Sequence, residues 1–179
     1  MGNKTENGGK AGKRHAVPRL MFGEKGSNGA GRRAKDNKSG ILSFSYRYDG
    51  TIGGSNYVYG IEKRENGVFF TYESMMYHDL GKAEVPVDNT VPERLNDVYL
   101  SCRLAEWDGY SKYNPYVCDG EGFSLSIRFN DGASLYTNGM NAFPDRYAEF
   151  CAAMSEILDP IRDKVIDSVK SASDKDLPE

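Results

Sequence analysis

Strict alternation of apolar and polar residues over 42–49 and again over 123–130 constrains the fold more than any other feature of this sequence. The apolar positions are Leu42, Phe44, Tyr46 and Tyr48 in the first stretch and Phe123, Leu125, Ile127 and Phe129 in the second. A period of two is typical of a strand with one face buried and the other in water. The chain is therefore expected to form a sheet that is covered on one side.

Turn residues divide the rest of the strand-like sequence into hairpins. Asn66-Gly67 separates a predicted strand at 57–64 from one at 68–72, and Asp131-Gly132 turns the strand at 123–130 into one at 133–137. A weaker fourth strand at 83–87 contains Pro86, which confines it to a sheet edge because proline has no amide hydrogen to donate. The pattern predicts five or six strands, depending on whether this one forms.

Two helical stripes follow these strands. Thr90 and Glu93 have the spacing of a capping box, with Pro92 tolerated in the first turn, and the helix is expected to end near Trp107. Residues 141–144 lead into a second helix, with Pro144 suited to its first turn, and this helix is expected to end or kink at Asp159-Pro160. The apolar stripes are Val91, Leu95, Val98, Tyr99, Cys102 and Ala105 in the first helix and Tyr147, Phe150, Cys151, Met154, Ile157 and Leu158 in the second.

The order of these elements is β-β-β-(β)-α-β-β-α. Segregated strands and helices favour an α+β fold with an antiparallel sheet over a parallel sheet built from repeated crossovers. We predict five or six antiparallel strands with the two helices packed on one face.

The charges are distributed unevenly, although the whole chain carries only −3. Residues 1–40 contain ten basic and three acidic residues, a net charge of +7, whereas residues 41–179 carry −10. The first segment is also rich in glycine and has one aromatic residue, so it cannot bury enough apolar surface to fold. We predict a disordered basic tail at 1–40, one α+β domain at 41–170 and a disordered polar end at 171–179.

Most signatures of catalysis are missing from the sequence. The two histidines are His15, in the tail, and His78, in a loop, which leaves little for a histidine-based triad or metal site. There is no phosphate-binding glycine loop and no Cys-x-x-Cys pair. We therefore expect no catalytic residue, no cofactor and no metal site. Cys118 lies outside the helices, and His78 is the one candidate base for it in the folded part, so a Cys118–His78 nucleophile–base pair is a further hypothesis.

Residues 106–121 form the densest polar and aromatic stretch. Rings and carboxylates there suit contact with a sugar, a base or a peptide, or oxygen ligation of a cation. The structural interpretation is that Trp107 closes the sheet edge while Asp108 and Asp119 form turns with the glycines that follow them. The candidate binding residues are Trp107, Asp108, Tyr110, Tyr113, Tyr116, Asp119 and Glu121.

Composition also bears on location and partners. There is no apolar run of about 18 residues, so no membrane span is expected, and three cysteines are too few for a disulfide scaffold. A reducing, cytoplasmic location is favoured, with export as a lipoprotein or secreted protein left open if the native N-terminus is missing. The basic tail can neutralise phosphates, but the acidic domain repels nucleic acid, so we do not expect nucleic-acid binding. The oligomeric state is left open.

Several short motifs in the second half of the chain together carry a resemblance to a known group of proteins. They are Trp107 to Lys112, Val117, Asp119-Gly120, Phe123 to Ile127, Phe129, Asp131-Gly132 and Asn141 to Pro144. Over roughly residues 41–160 the chain is similar to a domain of unknown function found in small bacterial proteins, mainly from gut Firmicutes, some of which are lipoproteins. The resemblance implies no activity and supplies no catalytic residue. No lipobox cysteine lies near the start of this chain.

Two functional hypotheses follow, with a third in reserve. The first is a noncatalytic binding or interaction domain that contacts a ligand or protein partner through residues 107–121. The second is a hydrolase or transferase, with or without a metal, that uses the carboxylates of Asp108, Asp119 and Glu121 and requires at least two of them in one cleft. The third is nonspecific nucleic-acid association through the tail.

Overall fold

A computed structural model of the chain describes residues 39–50, 56–74, 81–117 and 120–173. Within these ranges the strands are β1 (Ile41–Asp49), β2 (Tyr57–Arg64), β3 (Gly67–Ser74), β4 (Lys82–Val87), β5 (Ser111–Tyr113), β6 (Gly122–Phe129) and β7 (Ser134–Met140). The helices are α1 (Val91–Ser101) and α2 (Tyr147–Ser173), and a short 3₁₀ helix spans Leu104–Trp107.

The seven strands of the described ranges form one mixed sheet in the order β4-β3-β2-β1-β6-β7-β5. Neighbouring strands are antiparallel except at one edge, where β5 runs parallel to β7. The α+β class is confirmed, and so is the edge position of β4. The expectation of five or six antiparallel strands is wrong in the number of strands and in their direction, because the pattern does not predict β5. Its three exposed residues show no alternation, and only their position beside β7 makes them a strand.

Both helices cover the same face of the sheet. Tyr99 of α1 packs edge-on against Phe129 of β6, with ring centroids 5.0 Å apart. Phe150 of α2 packs in the same way against Tyr46 of β1, at 5.6 Å. Both sheet residues are apolar positions of the alternating stretches, which therefore form the buried face as predicted. Each large side chain buried there contributes roughly 1.5–3 kcal/mol of transfer free energy.

The start of β1 departs from simple alternation. Ile41 pairs with Phe129 but Ser43 pairs with the adjacent Arg128, so Leu42 is the extra residue of a β-bulge. Ile41 is 2% exposed and occupies the core position that the pattern assigned to Leu42, which is only partly buried. The prediction that Leu42 is a core residue is therefore wrong, because the bulge shifts by one residue which side chains face the core.

The first helix begins and ends differently from the prediction. Thr90 has helical backbone angles and makes no side-chain cap. Its own amide instead donates to Asp88 Oδ1 at 2.7 Å, which lowers the pKa of the Asp88 carboxyl. The helix ends at Ser101 and not near Trp107, because Arg103 takes a left-handed conformation with φ 57° that interrupts the hydrogen-bond ladder.

The second helix begins at Tyr147, so Pro144 precedes its first turn, and the helix continues through Pro160 and does not end there as expected. Proline removes the amide that would bond to the Glu156 carbonyl. Buried residues on both sides, Leu158 at 0% and Val165 at 5% exposure, hold the helix against the core and offset that loss. The helix reaches Ser173, past the predicted domain boundary at residue 170, whereas residues 1–38 and 174–179 lie outside the described ranges.

Candidate functional site

The segment between α1 and β6 runs along the outer edge of β7 at residues 109–114. The Gly109 amide donates to the Tyr136 carbonyl at 3.1 Å, and the Asn114 amide donates to the Met140 carbonyl at 3.0 Å. Further along, the amide of Asn141, just after β7, donates to the Glu121 carbonyl at 2.7 Å. Residues 109–114 therefore follow the outer edge of β7, whereas Glu121 directly precedes β6, which pairs with the other edge of β7.

Trp107 lies inside the protein. It is 3% exposed, its Nε1 donates to the Asp145 carbonyl at 3.1 Å, and its ring meets Phe150 at 5.3 Å and Phe123 at 6.4 Å. The indole joins the end of the 3₁₀ helix to the residues that precede α2. This is the packing role that the structural interpretation assigns to it, and the ring presents no face on which a ligand can stack.

The candidate carboxylates are not gathered in one cleft by the described residues. Asp108 lies beside Gly109, which is anchored at Tyr136, while the Glu121 backbone is anchored at Asn141. Five residues of extended β7 separate these anchors, a distance of roughly 16 Å. Asp119 lies outside the described residues. The arrangement therefore offers no acid–base pair made of Asp108 and Glu121, since such pairs work within hydrogen-bond reach of one substrate.

Glu121 has a different partner. Its carboxylate accepts a hydrogen bond from the Tyr48 phenol of β1. The pKa of Tyr48 is raised to about 12, mainly by burial and secondly by this hydrogen bond. Elsewhere in the described part of the chain, no group of three or more His, Cys, Asp or Glu residues is placed to hold a metal ion.

The three tyrosines of the segment differ in exposure. Tyr110 is half-buried, with burial raising its pKa, and Lys112 Nζ lies 5.2 Å from its ring centroid. Tyr113 is 65% exposed and Tyr116 is 94% exposed. Tyr113 and Tyr116 are therefore the predicted binding residues whose rings are open to a partner.

Two residues that the sequence did not single out extend this exposed surface. Met140, 39% exposed, lies opposite Tyr113 in the β5–β7 pair. Val117, 43% exposed, is held nearby because Asn141 Nδ2 donates to its carbonyl at 3.2 Å. We call Tyr113, Tyr116, Val117 and Met140 the aromatic rim. The sequence predicts Tyr113 and Tyr116, whereas Met140 joins them only through the parallel pairing of β5 with β7, which no local pattern indicates.

The cysteines offer no activated thiol within the described residues. Cys102 is buried, as its helical position predicts, and Cys118 and His78 lie outside the described ranges. Cys151 Sγ lies 3.6 Å from the Tyr46 hydroxyl, which is itself 2.6 Å from the Tyr147 hydroxyl. Burial raises the pKa of the Cys151 thiol, which disfavours the thiolate that a nucleophile needs.

No family model matches the chain, and no curated protein is significantly similar to it. Among the helices of the described ranges, none is both long enough and apolar enough to cross a membrane. Function must therefore be inferred from the geometry of this chain.

Proposed function

We propose that the folded domain is a noncatalytic binding domain that contacts a protein partner through the aromatic rim. The observation that carries the proposal is the exposure of several large side chains in one short segment and its strand partner, above all Tyr116 at 94% and Tyr113 at 65%. Single exposed apolar residues are ordinary, but several together mark interaction surfaces. Tyrosine and methionine are also enriched in the cores of protein interfaces.

The backbone at this edge supports the same function. The Tyr110 carbonyl accepts from Asn138 and the Asn114 amide donates to Met140, so alternate residues of the segment bond to β7. In a parallel ladder the residues between them, Ser111 and Tyr113, direct their amides and carbonyls away from the sheet. An extended segment of a partner can pair with these groups while its side chains contact the aromatic rim.

The charges favour a neutral or basic partner over a polyanion. Residues 41–179 carry a net charge of −10, and the sequence from 108 to 121 contains three carboxylates, Asp108, Asp119 and Glu121, against one cation, Lys112. Such a surface repels nucleic acid and slows its approach. The alternative, a carboxylate-dependent hydrolase or transferase, requires two carboxylates in one cleft. It is not supported by Asp108 and Glu121, because their backbones are held at separate points, one along β7 and the other just after it.

The test begins by identifying the partner at the site itself. A photo-crosslinking amino acid is placed at position 116 and, as a control, at position 100, because Leu100 is an exposed apolar residue on α1, at 48%. The partner that crosslinks at 116 and not at 100 is then purified and titrated against the protein.

The double substitution Tyr113→Ser and Tyr116→Ser is expected to weaken that partner's binding by about tenfold or more, because exposed tyrosines at interface centres are common hot spots. Leu100→Ser should leave the affinity unchanged. Equal crosslinking at both positions, or unchanged affinity in the double variant, would show that the aromatic rim is not the contact surface.

A further inference from the structure

A second candidate site lies at the opposite end of the sheet from the aromatic rim. Four asparagines from four different elements line one cleft of about 750 Å³ there. Asn66 comes from the β2–β3 turn, Asn89 from the connection between β4 and α1, Asn96 from α1, and Asn130 from the β6–β7 turn. We call this the asparagine cleft. Its volume lies within the range of small-molecule sites, which is about 300–1,000 Å³.

Three of the four asparagines have a local explanation and one has none. Asn66, Asn89 and Asn130 occupy turns, where asparagine is favoured by its compatibility with tight backbone angles. Asn96 lies in the interior of α1, where asparagine is a poor helix former. It follows Leu95, which is 1% exposed, so it lies next to the buried face of the helix.

The Asn96 amide is also unsatisfied. Its Oδ1 atom is buried and has no hydrogen-bond partner among the described residues. Leaving a buried acceptor unpaired costs about 1–3 kcal/mol. Neither helix propensity nor packing therefore accounts for asparagine at this position, whereas a bound molecule in the asparagine cleft would.

The rest of the lining defines what kind of molecule fits. Glu93 and Asp97 of α1 are exposed acceptors, and Lys63 of β2 is an exposed donor; none of the three forms an ion pair with another described residue. Amides present a donor and an acceptor side by side, which matches neighbouring hydroxyl groups. Because both charge signs line the cleft, neither an anion nor a cation is selected.

We propose that the asparagine cleft binds a neutral polyhydroxylated ligand, a mono- or oligosaccharide, with Asn96 as a binding residue. The ligand's hydroxyls pair with the asparagine amides and with the carboxylates of Glu93 and Asp97. Asn96 joins them by rotating about χ2, a broad and soft torsion for an amide side chain. The site is independent of the aromatic rim, and its failure would leave the proposed protein contact standing.

The test is titration calorimetry and saturation-transfer NMR of the full chain against glucose, galactose, N-acetylglucosamine, maltose and cellobiose. We expect saturable binding of at least one of these probes. Asn96→Leu should weaken that binding by about tenfold or more while the melting temperature stays equal or rises, because the substitution removes a buried unpaired acceptor and restores helix propensity. If Asn96 served stability and not binding, Asn96→Leu would lower the melting temperature and leave the affinity unchanged.

Two further variants make the outcome decisive. Asp97→Ala, at an exposed position of the same cleft, should weaken binding without affecting folding. Asn138→Leu, on β7 away from the cleft, is the matched asparagine control and should bind as tightly as the wild type. Absence of binding by all five probes, retention of affinity in both cleft variants, or a lowered melting temperature of Asn96→Leu would overturn the proposal.

Discussion

Trp107 Nε1 donates to the Asp145 carbonyl at 3.1 Å and thereby joins two connections that are 38 residues apart in sequence. One connection leads from α1 to the outer edge of the sheet, and the other leads from β7 into α2. The indole fills the space between them and packs against Phe150 of α2. The aromatic rim begins six residues after Trp107, so the segment that carries it starts from a residue packed in the core.

Replacing this tryptophan should destabilise the domain strongly. Trp107→Ala removes a ring that is 3% exposed and leaves a cavity, so the free energy of unfolding should fall by about 3–5 kcal/mol. Chemical denaturation followed by circular dichroism measures the change. Tyr116→Ala, at a residue 94% exposed, is the matched aromatic control and should stay within about 0.5 kcal/mol of the wild type. Equal stability of the two variants would contradict the packing role of Trp107.

A second prediction concerns the contact between Gly120 and Asn141. A β-carbon at Gly120 would overlap Asn141 Oδ1, and Asn141 is held by its hydrogen bonds to Glu121 and Val117. Gly120→Ala should therefore cost about 1–3 kcal/mol, as overpacking usually does. Denaturation curves of this variant and of a double variant measure the coupling.

Asn141→Gly is the informative second substitution. Asn141 has φ 53°, which glycine adopts without strain, so its side chain can be removed at little backbone cost. Adding Asn141→Gly should restore most of the stability lost in Gly120→Ala. Additive losses in the double variant would show that the clash with Asn141 is not the cause.

The third prediction is alkaline unfolding. Burial raises the pKa of Tyr57 from 10.0 to about 12, and it raises those of Tyr46, Tyr59 and Tyr147 as well. A phenol with a higher pKa in the folded state than in the unfolded state binds more protons when folded at alkaline pH. The stability contribution is fully present below pH 10 and is lost as the pH rises from 10 through 12.

Measured unfolding free energies over this pH range, with tyrosinate absorbance as a second signal, test the prediction. Tyr57→Phe should make the decline shallower, because one buried ionisable group is removed. Tyr136→Phe, at a residue 57% exposed, is the control and should leave the curve unchanged. A stability that is flat between pH 10 and 12 would be inconsistent with these raised pKa values.

The fourth prediction is a gain in stability at Pro160. The position is exposed within α2, and alanine there supplies the amide that the Glu156 carbonyl lacks. Pro160→Ala should raise the free energy of unfolding by about 1–3 kcal/mol, as the helix propensities of the two residues imply. Ser168→Ala, another exposed position of the helix, should change it by less than about 0.7 kcal/mol. A loss of stability in Pro160→Ala would mean that the proline ring packs favourably.

Local sequence signals were sufficient to predict most of the strands and both helices. Period-two alternation located β1 and β6, Asn66-Gly67 and Asp131-Gly132 located the two hairpins, and the 3.6-residue stripes located both helices. These elements follow from short-range chemistry, because facing and turn type depend on residues that are neighbours in the chain. The α+β class followed from their order.

The remaining features depend on contacts between distant segments. The parallel pairing of β5 with β7 brings Tyr113 beside Met140, and the packing around Trp107 turns a candidate binding residue into a core residue. Asn96 meets the turn asparagines only because the sheet brings distant turns to one end. No sequence period encodes such contacts, since they join segments tens of residues apart. Their geometry is set by how the whole core packs.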